Sequence, residues 1–171
     1  MRLPSRRGRP PAEAVASLDR DERVVSWASV AGGGAVVATP RGLWWPEPGR
    51  QRLIGWQHVD KATWRDGVLS VIEADVVDDL LLVDKPEVSV ALEEPRDLPP
   101  TVRRRVESTV VQSELAPVPG GVARLVARRI PGRDGLTWWA RLEHGTPDTP
   151  ALRSWLRQRL GRAADAADSA S

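Results

Sequence analysis

Short apolar runs separated by turn residues fill the chain between residues 23 and 92. In the clearest run, residues 87–93, the side chains of Val88, Val90 and Leu92 share one face and polar side chains share the other. This alternation is typical of a half-buried strand. Glycines at 32–34 and the Asp66-Gly67 pair mark tight reversals between runs. The pattern predicts a series of short antiparallel strands.

The spacing of apolar residues changes after residue 97. Val102, Val106 and Val110 are four apart, which predicts a helix over residues 99–115 with Asp97 as its cap. A β-hairpin is predicted next over residues 122–143. A second helix is predicted to begin at the cap Thr149 and to end at Gly161. Its apolar face comprises Leu152, Trp155, Leu156 and Leu160.

These elements predict a mainly β (α+β) protein with four parts. Residues 1–19 are predicted to form a flexible basic arm, and residues 20–115 a β domain with a capping helix. Residues 116–162 are an appended hairpin and helix on the same domain, and 163–171 a disordered tail.

Two stretches, VVATPRGLWW (36–45) and QRLIGWQHVDKATWRDGVLSVI (51–72), resemble bacterial pleckstrin-homology-like (PH-like) domains. The resemblance covers about residues 20–115 and implies a bent antiparallel barrel of about seven strands with a helix at one open end. It implies binding or scaffolding rather than catalysis. Phosphoinositide binding by this family uses a basic first hairpin loop, whereas residues 31–34 are Ala-Gly-Gly-Gly and carry no charge. The last hairpin and helix depart from the family pattern.

Composition narrows the class of protein. The chain has eight Trp, no Phe, no Tyr and no Cys, so disulfides and thiolate chemistry are excluded. No apolar stretch is long enough for a transmembrane helix, and the N-terminus does not resemble a secretory signal, so we expect a cytoplasmic protein. Only Lys61 and Lys85 among the 25 basic residues are lysines, which is typical of GC-rich coding bias and weakens a functional interpretation of each Arg cluster.

Two adjacent Trp pairs are the main candidate binding residues. Neighbours in a strand point to opposite faces, so each pair is expected to place one indole on each side of a sheet. The predicted partner-binding residues are Trp44, Trp45, Trp139 and Arg141. The alternative is that the appended helix covers the Trp139 face. The three tryptophans Trp27, Trp56 and Trp64 are predicted to lie in the core.

Basic clusters suggest weaker alternatives. The segment containing Arg6, Arg7 and Arg9 resembles an AT-hook, a peptide that binds narrow minor grooves, although one copy in an Arg-rich chain favours a solubilising arm. The run Arg103–Arg105 is either a solvated helix face or a phosphate contact. The last helix either docks on its own sheet or lies on an anionic membrane.

Residues for catalysis are few. His58 and Asp60 share a strand face and could form an acid–base pair, and Asp78-Asp79 could begin a cation site. No recognised catalytic or metal motif contains them. The sequence therefore predicts a non-enzymatic protein–protein interaction module that binds no metal or cofactor. Weak DNA association and peripheral membrane contact are the alternatives.

Overall fold

The computed structural model describes residues 8–170, and β-strands make up most of its regular structure. The first sheet has four strands in sequence order, each antiparallel to the next. They are β1 (Ser26–Ser29), β2 (Ala35–Ala38), β3 (Gly42–Glu47) and β4 (Arg50–Gly55). A single 3-10 turn, Trp56–His58, connects β4 to the second sheet.

The second sheet has seven strands. They are β5 (Val59–Arg65), β6 (Val68–Val77), β7 (Leu81–Asp84), β8 (Val88–Ala91), β9 (Val110–Val118), β10 (Gly121–Arg128) and β11 (Thr137–Leu142). The strand β6 pairs with β5 on one side, and with β8 and then β7 along the other. The order continues from β7 through β11 and β10 to β9. Among the strand pairs of residues 8–170, β7–β11 alone is parallel.

The first sheet and the first strands of the second sheet curl around a shared core. An antiparallel bridge between Val30 and Leu92 joins the end of β1 to the end of β8. Helix α2 (Leu98–Thr109) contributes Leu98 and Val102 to the core of this half-barrel. The fully buried core residues with the largest side chains here are Trp56, Leu43, Ile54, Leu69 and Leu98.

A second core lies between the appended strands and helix α3 (Pro150–Asp168). Leu152, Leu156 and Leu160 of α3 pack on Leu125 and Ala140 of the sheet. The helix therefore docks on its own sheet, as one of the two interpretations predicted.

The N-terminal segment covers the outer face of the first sheet. Its short helix α1 (Ala12–Val15) buries Ala14 against Trp44. Glu22 follows with a side chain that is only 2% exposed. Its carboxylate accepts hydrogen bonds from Thr39 Oγ1 and from Trp44 Nε1, the latter at 2.8 Å. The described part of residues 1–19 thus packs on the barrel, and the prediction of a flexible arm is wrong for that part.

The predicted helix over residues 99–115 ends at Thr109, and residues 110–118 form β9 instead. The run Thr109-Val110-Val111 is β-branched, which disfavours helix and favours strand. Pairing with β10 then provides the backbone hydrogen bonds of this segment. Asp97 occupies the cap position, but its Oδ1 accepts a hydrogen bond from Ser26 Oγ at 2.7 Å rather than from the helix.

The last helix begins as predicted and ends later than predicted. Thr149 Oγ1 accepts the Leu152 N–H at 3.2 Å, which confirms the cap. Gly161 does not stop the helix, which continues to Asp168. Four alanines follow Gly161 before that point, and alanine has the highest helix propensity. The predicted disordered tail is therefore helical over residues 163–168.

Glu22→Gln tests the attachment of the N-terminal segment. Burial raises the pKa of Glu22, but hydrogen bonds from Thr39 and Trp44 outweigh it and hold the pKa below the ordinary value of 4.5. The stabilisation is therefore present above pH 4.5 and is lost as the pH falls through the lower folded-state pKa. We expect the substitution to lower the free energy of unfolding by about 1–2 kcal/mol at pH 7, with a smaller difference in acid.

Urea denaturation of the wild type, Glu22→Gln and the exposed control Glu13→Gln at several pH values measures this effect. Equal losses for Glu22→Gln at neutral and acidic pH would show that the carboxylate charge does not matter.

Candidate functional site

A groove of about 590 Å³ runs between β5 and α2. Five consecutive residues of β5, 60–64, line one side, and one face of α2 lines the other. The helix residues that line it are Pro99, Pro100, Val102, Arg103, Val106 and Glu107. The groove exists because β5 is the outer strand of its sheet and has a partner, β6, on one side alone.

The hairpin between β5 and β6 determines which backbone groups face this groove. Asp66 and Gly67 form a two-residue turn with positive φ values of 50° and 78°, so Arg65 and Val68 form its closing hydrogen-bonded pair. Hydrogen-bonded and non-hydrogen-bonded pairs then alternate along an antiparallel ladder. Ala62 and Trp64 fall in the non-hydrogen-bonded pairs and direct their N–H and C=O groups away from β6, towards the groove.

Apolar side chains surround these backbone groups. Trp64 is 39% exposed, although it faces the same way as Ala62, which packs against the core. Val102 of α2 is buried, and Val106 one turn later is half-buried in the groove wall. The groove thus combines unpaired strand backbone with an accessible indole and an aliphatic wall.

Charged side chains border the groove. The Arg103 guanidinium donates to Glu107 at 2.8 Å, and this hydrogen bond raises the pKa of Arg103. The two charges therefore largely offset each other on the helix side. Lys61 on the strand side is exposed. Asp60 lies at the end of the groove nearest strands β9, β10 and β11, the part of the second sheet that we call the appended sheet.

Asp60 belongs to a polar contact between the half-barrel and the appended sheet. Arg141 of β11 donates to Asp60 at 2.7 Å and to Asp84 at 2.6 Å. Arg128 of β10 is buried beside them and donates to the Val59 carbonyl at 3.0 Å. Burial lowers the pKa of Arg128, whose nearest carboxylate is Asp60 at 3.9 Å. These contacts hold the appended sheet against β5.

Trp44, Trp45 and Trp139 are buried, and Trp138 is half-buried against the second core, so the exposed indole predicted for each pair is wrong. Trp45 faces the barrel core and is 4% exposed, whereas Trp44 is covered by the N-terminal segment. Trp139 is 6% exposed and stacks on His58, with ring centroids 6.0 Å apart. The guanidinium of Arg141 forms ion pairs with the carboxylates of Asp60 and Asp84. Each sheet face that carries one of these indoles is covered by another part of the chain, and strand alternation does not reveal this covering.

Trp64 was predicted to be in the core and is instead the accessible indole of the groove. It lies next to the Asp66-Gly67 turn, where the strand extends towards the solvent-exposed tip of its hairpin. Its position one residue from a hairpin turn was the available signal. Trp56 is 1% exposed, as predicted for a core residue.

The other candidate residues do not converge on the groove. Arg6 and Arg7 lie outside the described residues, and Arg9 is exposed. His58 stacks on Trp139 whereas Asp60 pairs with Arg141, so the structure gives them different partners. Asp78 lies in the turn before β7 and pairs with Arg153. Within residues 8–170, no group of three His, Cys, Asp or Glu side chains could hold a metal ion.

No helix in the described part of the chain is long and apolar enough to cross a membrane. Comparisons of the chain with protein-family models, with curated proteins and with solved structures found no match.

Two tryptophan substitutions distinguish the buried indole from the groove indole. Trp139→Ala leaves a cavity beside His58, Ala74 and Leu82, and we expect it to lower the free energy of unfolding by about 3–5 kcal/mol. Trp64→Ala removes a partly exposed side chain, and we expect a loss of less than about 1 kcal/mol. Each variant loses one Trp, so they are matched controls in chemical denaturation. Comparable losses would contradict the assigned burial.

Proposed function

We propose that the chain is a cytoplasmic, non-enzymatic PH-like module that binds an extended peptide of another protein as an additional strand on β5. The observation that carries the proposal is the unpaired backbone of Ala62 and Trp64 beside an apolar helix face. Extended peptides bind exposed sheet edges in this way, with affinity from main-chain hydrogen bonds and specificity from alternate side chains.

The PH-like assignment within this proposal rests on element order. Strands β1 to β6 and β8, followed by α2, supply the seven strands and one helix that the sequence resemblance implies. The Val30–Leu92 bridge joins the two sheets at one corner, and α2 contributes to the core between them. Strand β7 lies outside this set and links β6 to the appended sheet.

The shape of the groove determines what the bound peptide contains. A strand added to β5 would hydrogen-bond to Ala62 and Trp64, and every second side chain would point between Trp64 and α2. Val102 and Val106 line that side, so these positions of the peptide are apolar. Indoles contribute strongly to interface energies, which makes Trp64 the expected centre of the contact.

Peptide selection followed by substitution tests the proposal. Peptides are selected from a displayed library of random sequences on the immobilised full chain, and their Kd is measured by fluorescence anisotropy. We expect enrichment of alternating sequences with apolar residues. Trp64→Ala should weaken binding about tenfold or more, because truncation of a central interface Trp costs about 2 kcal/mol or more.

Ala62→Pro is the second variant, since it removes an N–H that faces the groove and leaves the β5–β6 ladder intact. It should also weaken binding, whereas the control Val83→Ala, at an aliphatic residue that is 49% exposed on β7, should not. No enriched peptide, or peptides that bind both groove variants as tightly as the wild type, would refute peptide binding on β5.

A further inference from the structure

Strand β9 is an outer strand that no described element covers along its free edge. Residues 110–113 are all exposed, and so are Leu115 and Pro117. Leu115 is 57% exposed and Val111 is 44% exposed. A nine-residue edge strand with accessible aliphatic side chains can pair with another strand.

The hydrogen bonds of β10 show which backbone groups of β9 point outward. The Val122 carbonyl accepts the Glu143 N–H at 3.0 Å, and the Val122 N–H donates to Thr146 Oγ1 at 2.9 Å. Val122 therefore bonds away from β9, and its partner Pro117 faces the free edge. Proline has no backbone N–H, but at this position no hydrogen bond to β10 is lost. By alternation, Leu115 and Ser113 also direct their N–H and C=O groups outward.

We infer that β9 pairs antiparallel with β9 of a second copy of this chain, with the two-fold axis at Ser113. In this register the two Ser113 residues face each other as a hydrogen-bonded pair. Val111 of each copy, which the register shift between β9 and β10 leaves without a partner in β10, lies opposite Leu115 of the other. The two most exposed aliphatic side chains of the strand then cover one another. The two seven-stranded sheets then join into one.

Charge and hydrogen-bonding capacity favour this register. Gln112 lies opposite Glu114, so no like charges meet. An axis at Glu114 would place two carboxylates opposite each other, which is destabilising. An axis at Leu115 would place Ser113 opposite Pro117, which has no N–H to donate. Because the strand is complementary to itself, the partner is a second copy rather than an unrelated strand.

Sedimentation velocity of the full chain over a wide concentration range tests the dimer. Leu115→Lys places a cation opposite Val111, and Ser113→Pro removes an outward N–H at the axis. We expect a concentration-dependent dimer for the wild type and a dissociation constant raised about tenfold or more in both variants. The control Val83→Lys makes the same charge change at an exposed residue of β7 and should leave the dimer unchanged.

Circular dichroism verifies that the variants are folded. A wild type that stays monomeric at every concentration would overturn the inference, and so would a dimer that survives both β9 substitutions.

Cross-linking tests the register separately. The chain has no cysteine, so Ser113→Cys introduces a single thiol. Cα atoms in a hydrogen-bonded antiparallel pair are about 5.5 Å apart, within reach of a short bifunctional thiol reagent. Ser113→Cys should form a covalent dimer, and the control Val83→Cys should not. Equal cross-linking of both variants would rule out an axis at Ser113.

Discussion

The backbone hydrogen-bonding capacity of sheet edges is the constraint on which this structure depends. Each strand has two edges, and each edge must bond to another strand, to side chains or to water. The ends of β1 and β8 meet at the Val30–Leu92 bridge, and β7 bonds to β11. Strands β5 and β9 end the second sheet and keep an unpaired edge, as does β4 at the end of the first sheet. The two proposed interactions use the edges of β5 and β9.

The sheet faces offer fewer opportunities for binding than the edges. The N-terminal segment covers Trp44, the half-barrel covers Trp139, and α3 covers the opposite face of the appended sheet. Ion pairs of Arg141 with Asp60 of β5 and Asp84 of β7 attach β11 of the appended sheet to both strands. Because Asp60 also lies at the end of the groove, the appended sheet supports one end of the proposed peptide-binding site.

The sequence predicted local secondary structure well, but it predicted poorly which distant segments pack over each face of a sheet. Alternation located the strands, and Thr149 was correctly predicted as a cap, since both depend on neighbouring residues. Alternation also separated the two indoles of each Trp pair, but it contains no information on which distant segment covers each side. Trp64 shows the opposite error. It was predicted to be buried because it faces inward, but it stays accessible in the groove between β5 and α2. The spacing of Val102, Val106 and Val110 favoured a helix that includes Val110. In the structure, pairing with β10 makes Val110 the first residue of a strand instead.

Residue-resolved amide hydrogen exchange tests directly whether specific residues of β5 and β9 carry unpaired backbone groups. In dilute protein without peptide, we expect rapid exchange at Ala62 and Ser113 and slow exchange at their neighbours Thr63 and Glu114, which bond within the sheet. Protection of Ala62 and Ser113 equal to that of Thr63 and Glu114 would contradict this expectation, because these edges would then already be paired.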